Sequence, residues 1–368
     1  DTGLGRGFTV YRDYIFPGLS AFKPAALVDR PVEGLREIHH FLRERASLVF
    51  LAEPLNWFDV GIRKPAAAVN REVFDWLSRR GQAERPFFAF VNYYDVHYPY
   101  RMPEDGIHRF AARPRTEREI DIIEKWLTVD KSTLSPRETA LARDSYDDCI
   151  AYLDEQVGRL LDELERLGLL ESTWLIITSD HGESFGEQPG IFLHGTSLYQ
   201  PQVHVPLVIV PPLGGPRPSR PVVSETVSGR DLPATVVDLL GLEADAPFPG
   251  ASLARLWEKP PAAGTIEPPI SPTSPPLSEV VPTNPLDPDP AKVLEDRRAW
   301  GSLVEGDLIY IRIRDEEIDR EELFDLRNDP RQARNLADDP ARQAVLQRMR
   351  SRLDELTAGP LLPERFRP

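Results

Sequence analysis

One stretch constrains the architecture more than any other. Ser135-Pro136-Arg137-Glu138 carries the marks of a helix start: Ser at the cap, Pro in the first turn, Glu three residues after the cap. Behind it Ile150, Leu153, Val157, Leu160, Leu161 and Leu164 recur at helical spacing, and Gly168 ends the run. Trp174-Leu175-Ile176-Ile177-Thr178 then reads as a strand buried on both faces, as inside a parallel sheet. A long amphipathic helix feeding a buried strand is the building unit of doubly wound α/β folds.

The rest of the chain extends that grammar. Val69, Val73, Trp76 and Leu77 share one helical face, closed by Arg79, Arg80 and Gly81. Phe87-Phe88-Ala89-Phe90-Val91 and Leu207-Val208-Ile209-Val210 read as two more buried strands, and a helix is expected near Pro233–Leu240. The expectation is an α/β fold with a mostly parallel central sheet flanked by helices. The first 60 residues mix apolar stretches with turns and show no clear period.

After Trp257 the composition changes. Eleven prolines between Pro260 and Pro290 forbid helix and interior strand, which predicts a connector over 258–296. Ala299–Val304 and Leu308–Arg314 then read as a hairpin turning at Glu305-Gly306-Asp307, and a helix from about Pro340 to Leu356 closes a small α+β subdomain over 297–368.

Charge and cysteine content narrow the function classes. The 44 Lys+Arg against 59 Asp+Glu give a net charge of −15, which argues against wrapping DNA or binding RNA generally. A single cysteine, Cys149, excludes an intrachain disulfide framework and a cysteine-rich zinc site; as the neighbour of Ile150 in a helix it reads as a small core residue. No apolar run approaches the roughly 18 residues of a membrane span. The chain opens on Asp1-Thr2-Gly3-Leu4-Gly5 without an initiator Met or a basic-then-apolar leader, so the expected N-terminus lies upstream.

Ligands of open α/β sheets gather at the carboxyl ends of strands. Thr178-Ser179-Asp180-His181-Gly182-Glu183 stands at such an end, and Asp180 with His181 offers a hard oxygen and an imidazole nitrogen to a divalent cation. The bland alternative is a polar turn in which Asp180 caps a helix. Asn92-Tyr93-Tyr94-Asp95-Val96-His97 repeats the arrangement after another apolar run, with a packed histidine as the alternative for His97. His194-Gly195-Thr196-Ser197 leads into the next strand, where His194 could face an anion or be an ordinary loop histidine. Asp147-Asp148 reads as an acidic helix face with a structural role, while His39, His40 and His108 receive none. Lys64 and Arg63 form a basic pair before a helix. No Walker A, Rossmann glycine fingerprint, Gly-x-Ser-x-Gly or His-Glu-x-x-His occurs.

The ordered string Tyr146-Asp147-Asp148-Cys149-Ile150, Asp154-Glu155-Gln156-Val157-Gly158-Arg159-Leu160-Leu161, Gly168-Leu169-Leu170-Glu171-Ser172-Thr173 and Ser179-Asp180-His181-Gly182-Glu183 resembles the sulfatase family of the alkaline phosphatase superfamily. His194-Gly195, Leu198-Tyr199 and Val205-Pro206-Leu207 continue the likeness, as does Phe87 to Tyr100. Glu322-Leu323-Phe324-Asp325-Leu326, Asp329-Pro330 and Asn335-Leu336 resemble its C-terminal signature. The resemblance implies an alkaline phosphatase-like sheet, a small C-terminal subdomain, and hydrolysis of sulfate esters of small molecules or glycans. It implies Asp180 and His181 as metal ligands, and His97 and His194 against the sulfate or leaving group. It implies one divalent ion: calcium by family, with manganese or zinc left open by His181. Export to the periplasm or beyond is the family's bacterial habit.

The departures matter as much. The family's nucleophile is a Cys or Ser in Cys/Ser-x-Pro-x-Arg, matured to formylglycine, and no such pentapeptide occurs here. Gly3-Leu4-Gly5-Arg6-Gly7-Phe8 resembles a segment that follows both the nucleophile and two further metal-binding aspartates. The expectation is therefore that 1–257 is the C-terminal portion of a catalytic domain, inactive and marginally folded alone, with formylglycine upstream. Two other readings stay open. One is a phosphoryl-group enzyme of the superfamily, such as a phosphonate or phosphodiester hydrolase or a phosphoethanolamine transferase. The other is an inactive sulfatase-like binding module.

Overall fold

The computed structural model describes residues 64–80, 86–101, 106–111, 115–215, 217–242, 248, 250–257, 275–280, 300–314 and 319–357. The chain divides into two compact units, Asp1–Gly168 and Leu169–Pro368. His39, His40, Arg63 and the segment resembling the family's Gly3–Phe8 motif lie outside the described residues.

The helices of the first unit are α1 (Ala66–Arg80), α2 (Glu117–Glu124) and α3 (Pro136–Arg166). The expected cap of α3 forms as a reciprocal box: Glu138 N donates to Ser135 Oγ at 3.3 Å, and Ser135 N donates to Glu138 Oε2 at 2.8 Å. Thr116 and Glu119 build the same box at the start of α2. The two boxes are cross-linked, Arg118 to Glu138 at 2.5 Å and Arg137 to Glu119 at 3.2 Å. The Arg118 guanidinium, with help from Ser135, pulls the Glu138 carboxyl down to about 2.

The buried side of α3 is partly polar. Leu141, Ala142, Cys149 and Tyr152 share it with Ser145, Asp148 and Gln156, whereas Ile150 of the expected apolar stripe is exposed. Asp148 is fully buried. Its carboxylate accepts from the backbone N–H groups of Arg109 (2.7 Å), Phe110 (2.8 Å) and Ala111 (3.2 Å), and His108 Nδ1 lies 2.8 Å away. Burial alone would raise its pKa; the donors outweigh it and hold the group below the usual carboxylate range. Asp148 is the knot that fastens the 106–111 loop to the helix.

The apolar run Phe87–Val91 does not form the expected buried strand. No strand is assigned there, and Phe88 and Phe90 are 65% and 74% exposed. Apolar composition favours burial, but a strand buried on both faces needs a layer over each face, and composition does not specify those layers.

In the second unit β1 (Leu175–Thr178), β2 (Ser184–Phe185), β3 (Phe192–Leu193), the one-turn helix α4 (Gln200–Val203) and β4 (Leu207–Val210) precede α5 (Leu232–Leu239). The α/β class of the sequence reading holds. One detail of it changes: β1 and β4 pair antiparallel, Leu175 opposite Val210 and Thr178 opposite Leu207, not parallel. The chain between them carries a hairpin of two short strands and one helical turn, so it returns without the long helical crossover that parallel neighbours require. None of their eight residues is buried; Ile177 and Val208 are 36% and 49% exposed.

A four-stranded antiparallel sheet follows, in the order β5 (Leu277–Val280), β6 (Trp300–Glu305), β7 (Leu308–Arg314), β8 (Asp319–Asp325). The expected hairpin is β6–β7, with Gly306 at φ +58° in its turn. The proline-rich stretch supplies β5 at the edge of the sheet, where proline flanks are tolerated. Both faces are covered. The helix α6 (Gln343–Thr357) lays Leu346, Met349 and Leu353 with Tyr310 and Leu323, while Leu198 and Tyr199 join Val304, Ile309, Ile311, Ile313 and Phe324 on the other side. Among the described residues no helix is long and apolar enough to cross a membrane.

Candidate active site

The loop after β1 begins the site. Asp180 does not cap a helix: its side chain is 89% exposed, and among the described residues its Oδ1 accepts from the adjoining His181 N, at 3.1 Å. His181 Nδ1 lies 2.8 Å from the Gly182 carbonyl oxygen, an arrangement that places the ring proton on Nδ1. His181 Nε2 then stands 3.8 Å from Asp180 Oδ2. Gly182 is obligatory, because a Cβ there would come within 2.1 Å of the Pro201 carbonyl oxygen.

The second half of the site comes from the β2–β3 hairpin and the segment after it. His194 stacks on His181 with ring centroids 4.0 Å apart and planes at 21°. Its Nδ1 lies 3.2 and 3.3 Å from the two carboxylate oxygens of Glu183, whose side chain is 3% exposed. A buried carboxylate against one ring nitrogen fixes the orientation of the imidazole. His194 is flanked by two residues in the left-handed region, Leu193 at φ +66° and Gly195 at φ +66°. Glycine adopts that backbone freely; leucine does so at a cost of about 1–3 kcal/mol, which functional sites characteristically store.

The covered sheet supports this segment from below. Leu198 and Tyr199 are buried in its core, and Tyr199 Oη donates to Glu322 Oε2 on β8 at 2.7 Å. Burial, then the Glu322 carboxylate, push the Tyr199 phenol up, so it stays a donor. Gln200 N donates to Gln332 Oε1 at 2.7 Å, and Gln188 Nε2 donates to the Arg331 carbonyl oxygen at 2.9 Å. The small C-terminal sheet is thus the bed on which the His194 segment lies.

His97 belongs to the first unit. Its ring stacks on Tyr94 at 4.3 Å, and its Nδ1 lies 2.9 Å from the Tyr98 carbonyl oxygen. Asp95, offered by spacing as a possible ligand, accepts instead from Ala66 N at 3.0 Å and so serves the start of α1. Tyr93 Oη donates to Asn70 Oδ1 at 2.6 Å; burial, then Asp95, raise the phenol to about 12. Lys64 pairs with Glu72.

Asp180 and His181 place a carboxylate oxygen and a ring nitrogen where both could reach one divalent cation. Donors 3.8 Å apart can share one ion at about 2.0–2.3 Å from each. A ring N–H directed at a backbone carbonyl is also the usual support of a metal-bound histidine. Among the described residues no group of three or more His, Cys, Asp and Glu side chains is arranged to hold a metal. Gln202 was not singled out in the sequence; Glu183 and Tyr199 stood inside quoted motifs, but no role was assigned to either, because their partners His194 and Glu322 are brought to them only by the fold.

The family model described as Sulfatase matches residues 65–242, a span that holds His97, Asp180, His181 and His194. Residues 65–242 belong to the sulfatase family. Sulfatase YidJ of Escherichia coli (strain K12) is 26% identical over 202 residues, covering 52% of this chain and 39% of that protein. The choline-sulfatase of Rhizobium meliloti (strain 1021) is 27% identical over 295 residues, covering 75% of this chain and 51% of that protein. The chain thus spans about half, or less, of each of these two relatives. Among solved structures, the phosphonate monoester hydrolase of Agrobacterium radiobacter superposes with a TM-score of 0.58 at 22% identity, covering 80% of this chain and 60% of that one. That likeness shows the fold, an alkaline phosphatase-like α/β architecture.

Proposed function

We propose that this sulfatase-family chain supplies metal-binding and anion-binding residues to a sulfuric ester hydrolase. The observation that carries the reading is the Asp180–His181 pair at the end of β1 with His194 stacked on it and braced by Glu183. Asp180 and His181 would hold the divalent ion, calcium by family resemblance and manganese or zinc by the nature of the His ligand. Bound there, the ion would stabilise negative charge developing on the ester oxygens. His194, fixed by Glu183, would donate to or accept from the ester, and by family resemblance His97 is the further candidate for contact with the sulfate or leaving group. The nucleophile is not among this chain's Cys/Ser-x-Pro-x-Arg segments, since it has none.

The substrate class is a sulfated small molecule or glycan; the Rhizobium relative is named for choline sulfate. Phosphonate ester hydrolysis is the second reading, drawing on the name of the solved neighbour. The test is twofold. Mn2+ titration of the chain should give saturable binding that falls at least about tenfold in Asp180→Ala and His181→Ala, and unchanged binding in both would sink the site. Assay of the isolated chain with aryl sulfate and aryl phosphonate esters should show no turnover. Turnover of the sulfate would place a nucleophile within this chain, and turnover of the phosphonate alone would favour the second reading.

A further inference from the structure

Two separate stretches must be held in register for His181 and His194 to stack, and neither ring does this itself. Residues 181–184 leave β1, and residues 194–197 follow β3. One residue bonds to both. Gln202, in the single turn of α4, is 3% exposed. Its carbonyl oxygen accepts from Gly182 N at 2.8 Å, next to His181. Its side-chain Oε1 accepts from Thr196 N at 3.2 Å and Ser197 N at 3.1 Å, two and three residues past His194. Its Nε2 donates to Ser184 Oγ and to Thr196 Oγ1, each at 2.9 Å.

The chemistry requires an amide. The single hydroxyl proton of Thr196 is directed to the Phe192 carbonyl oxygen at 2.8 Å, so toward Gln202 this hydroxyl can only accept. The two backbone N–H groups on the other side of the same head can only donate. A side chain with both acceptor and donor at one end, buried and fully engaged, satisfies all of them. A carboxylate of the same size fails on the donor side, and an apolar isostere fails on both.

We propose that Gln202 is the positioning residue of the candidate site, setting the His181–His194 stack by tying the two segments through its backbone and amide. The proposal deepens the function given above and rests on that reading for its catalytic meaning, but its geometry can be tested without turnover. The full chain, labelled at histidine, should show a through-space NMR contact between the His181 and His194 rings. Gln202→Leu and Gln202→Glu should both lose that contact while the methyl resonances of Leu323 and Met349, in the covered sheet, stay in place. Mn2+ affinity should fall about tenfold or more in the same variants, as it does when support of a metal-bound histidine is removed. If Gln202→Leu also disturbs the sheet methyls, Gln202→Glu alone decides. Persistence of the ring contact in Gln202→Glu, with unchanged Mn2+ affinity, overturns the proposal. Loss of the ring contact in a chain whose wild type binds no Mn2+ keeps Gln202 as the positioning residue and refutes the metal reading instead.

Discussion

The β1–β4 pair and the four-stranded C-terminal sheet are built from similar apolar residues, yet they sit in opposite environments. Ile177 and Val208 of the pair are 36% and 49% exposed, whereas Ile309, Tyr310 and Ile311 on β7 are at most 1% exposed. The difference lies in what covers them. The helix α6 shields one face of the C-terminal sheet, and Leu198 and Tyr199 shield the other. The candidate site draws on both regions: His181 leaves the open pair, and His194 belongs to the segment laid on the covered sheet. Rigidity in this unit therefore enters the site from the C-terminal side.

Core truncations should separate the two regions most. Leu323→Ala, at a side chain with no exposure, is expected to cost about 2–5 kcal/mol in denaturant unfolding, with the cavity term included. A cost near that of a surface substitution would mean that the sheet is not the stable part of this unit. Tyr199→Phe comes next. Removing its hydroxyl leaves the buried Glu322 without that donor and is expected to cost about 1–3 kcal/mol, measured the same way. If the bed positions the site, this variant should also weaken the His181–His194 ring contact.

Acid should act on the covered sheet through Glu321. Arg350, bonded to both Glu321 oxygens, holds that carboxyl below its ordinary value against its partial burial. A depressed carboxylate stabilises the fold fully above its unfolded pKa of about 4.3, and that stability is lost as pH falls through the lower folded value. Glu321→Gln should therefore flatten the acid side of the stability profile while changing little between pH 6 and 8 in slope; an unaltered acid limb would remove Glu321 from the account. Val208→Ala, half-exposed on β4, should have the smallest effect, about 1 kcal/mol or less. A cost as large as that of Leu323→Ala would show β4 to be covered in solution and erase the contrast.

Much of the architecture was legible because it is encoded locally. Ser135 and Glu138 are three residues apart, and their reciprocal bonds mark the start of α3 wherever the helix later packs. The turn at Gly306 is equally local, and so is the Asp180–His181 pair at a strand end. Phe87–Val91 misled for the opposite reason: its composition suits a buried strand, but burial depends on layers that composition does not specify. The same holds for β1 and β4, whose hydrophobicity is blind to direction.

By itself the sequence determined the start of α3, the C-terminal hairpin and the α/β class, since each rests on bonds or spacings within a few residues. Only the tertiary structure decided that β1 and β4 run antiparallel, that Tyr199 reaches Glu322 123 positions away, and that Gln202 joins Ser184 to Thr196. A glutamine carries no period and no cap signature. What distinguishes Gln202 is the set of buried donors and acceptors around it, and such a set exists only once distant segments have closed upon one another.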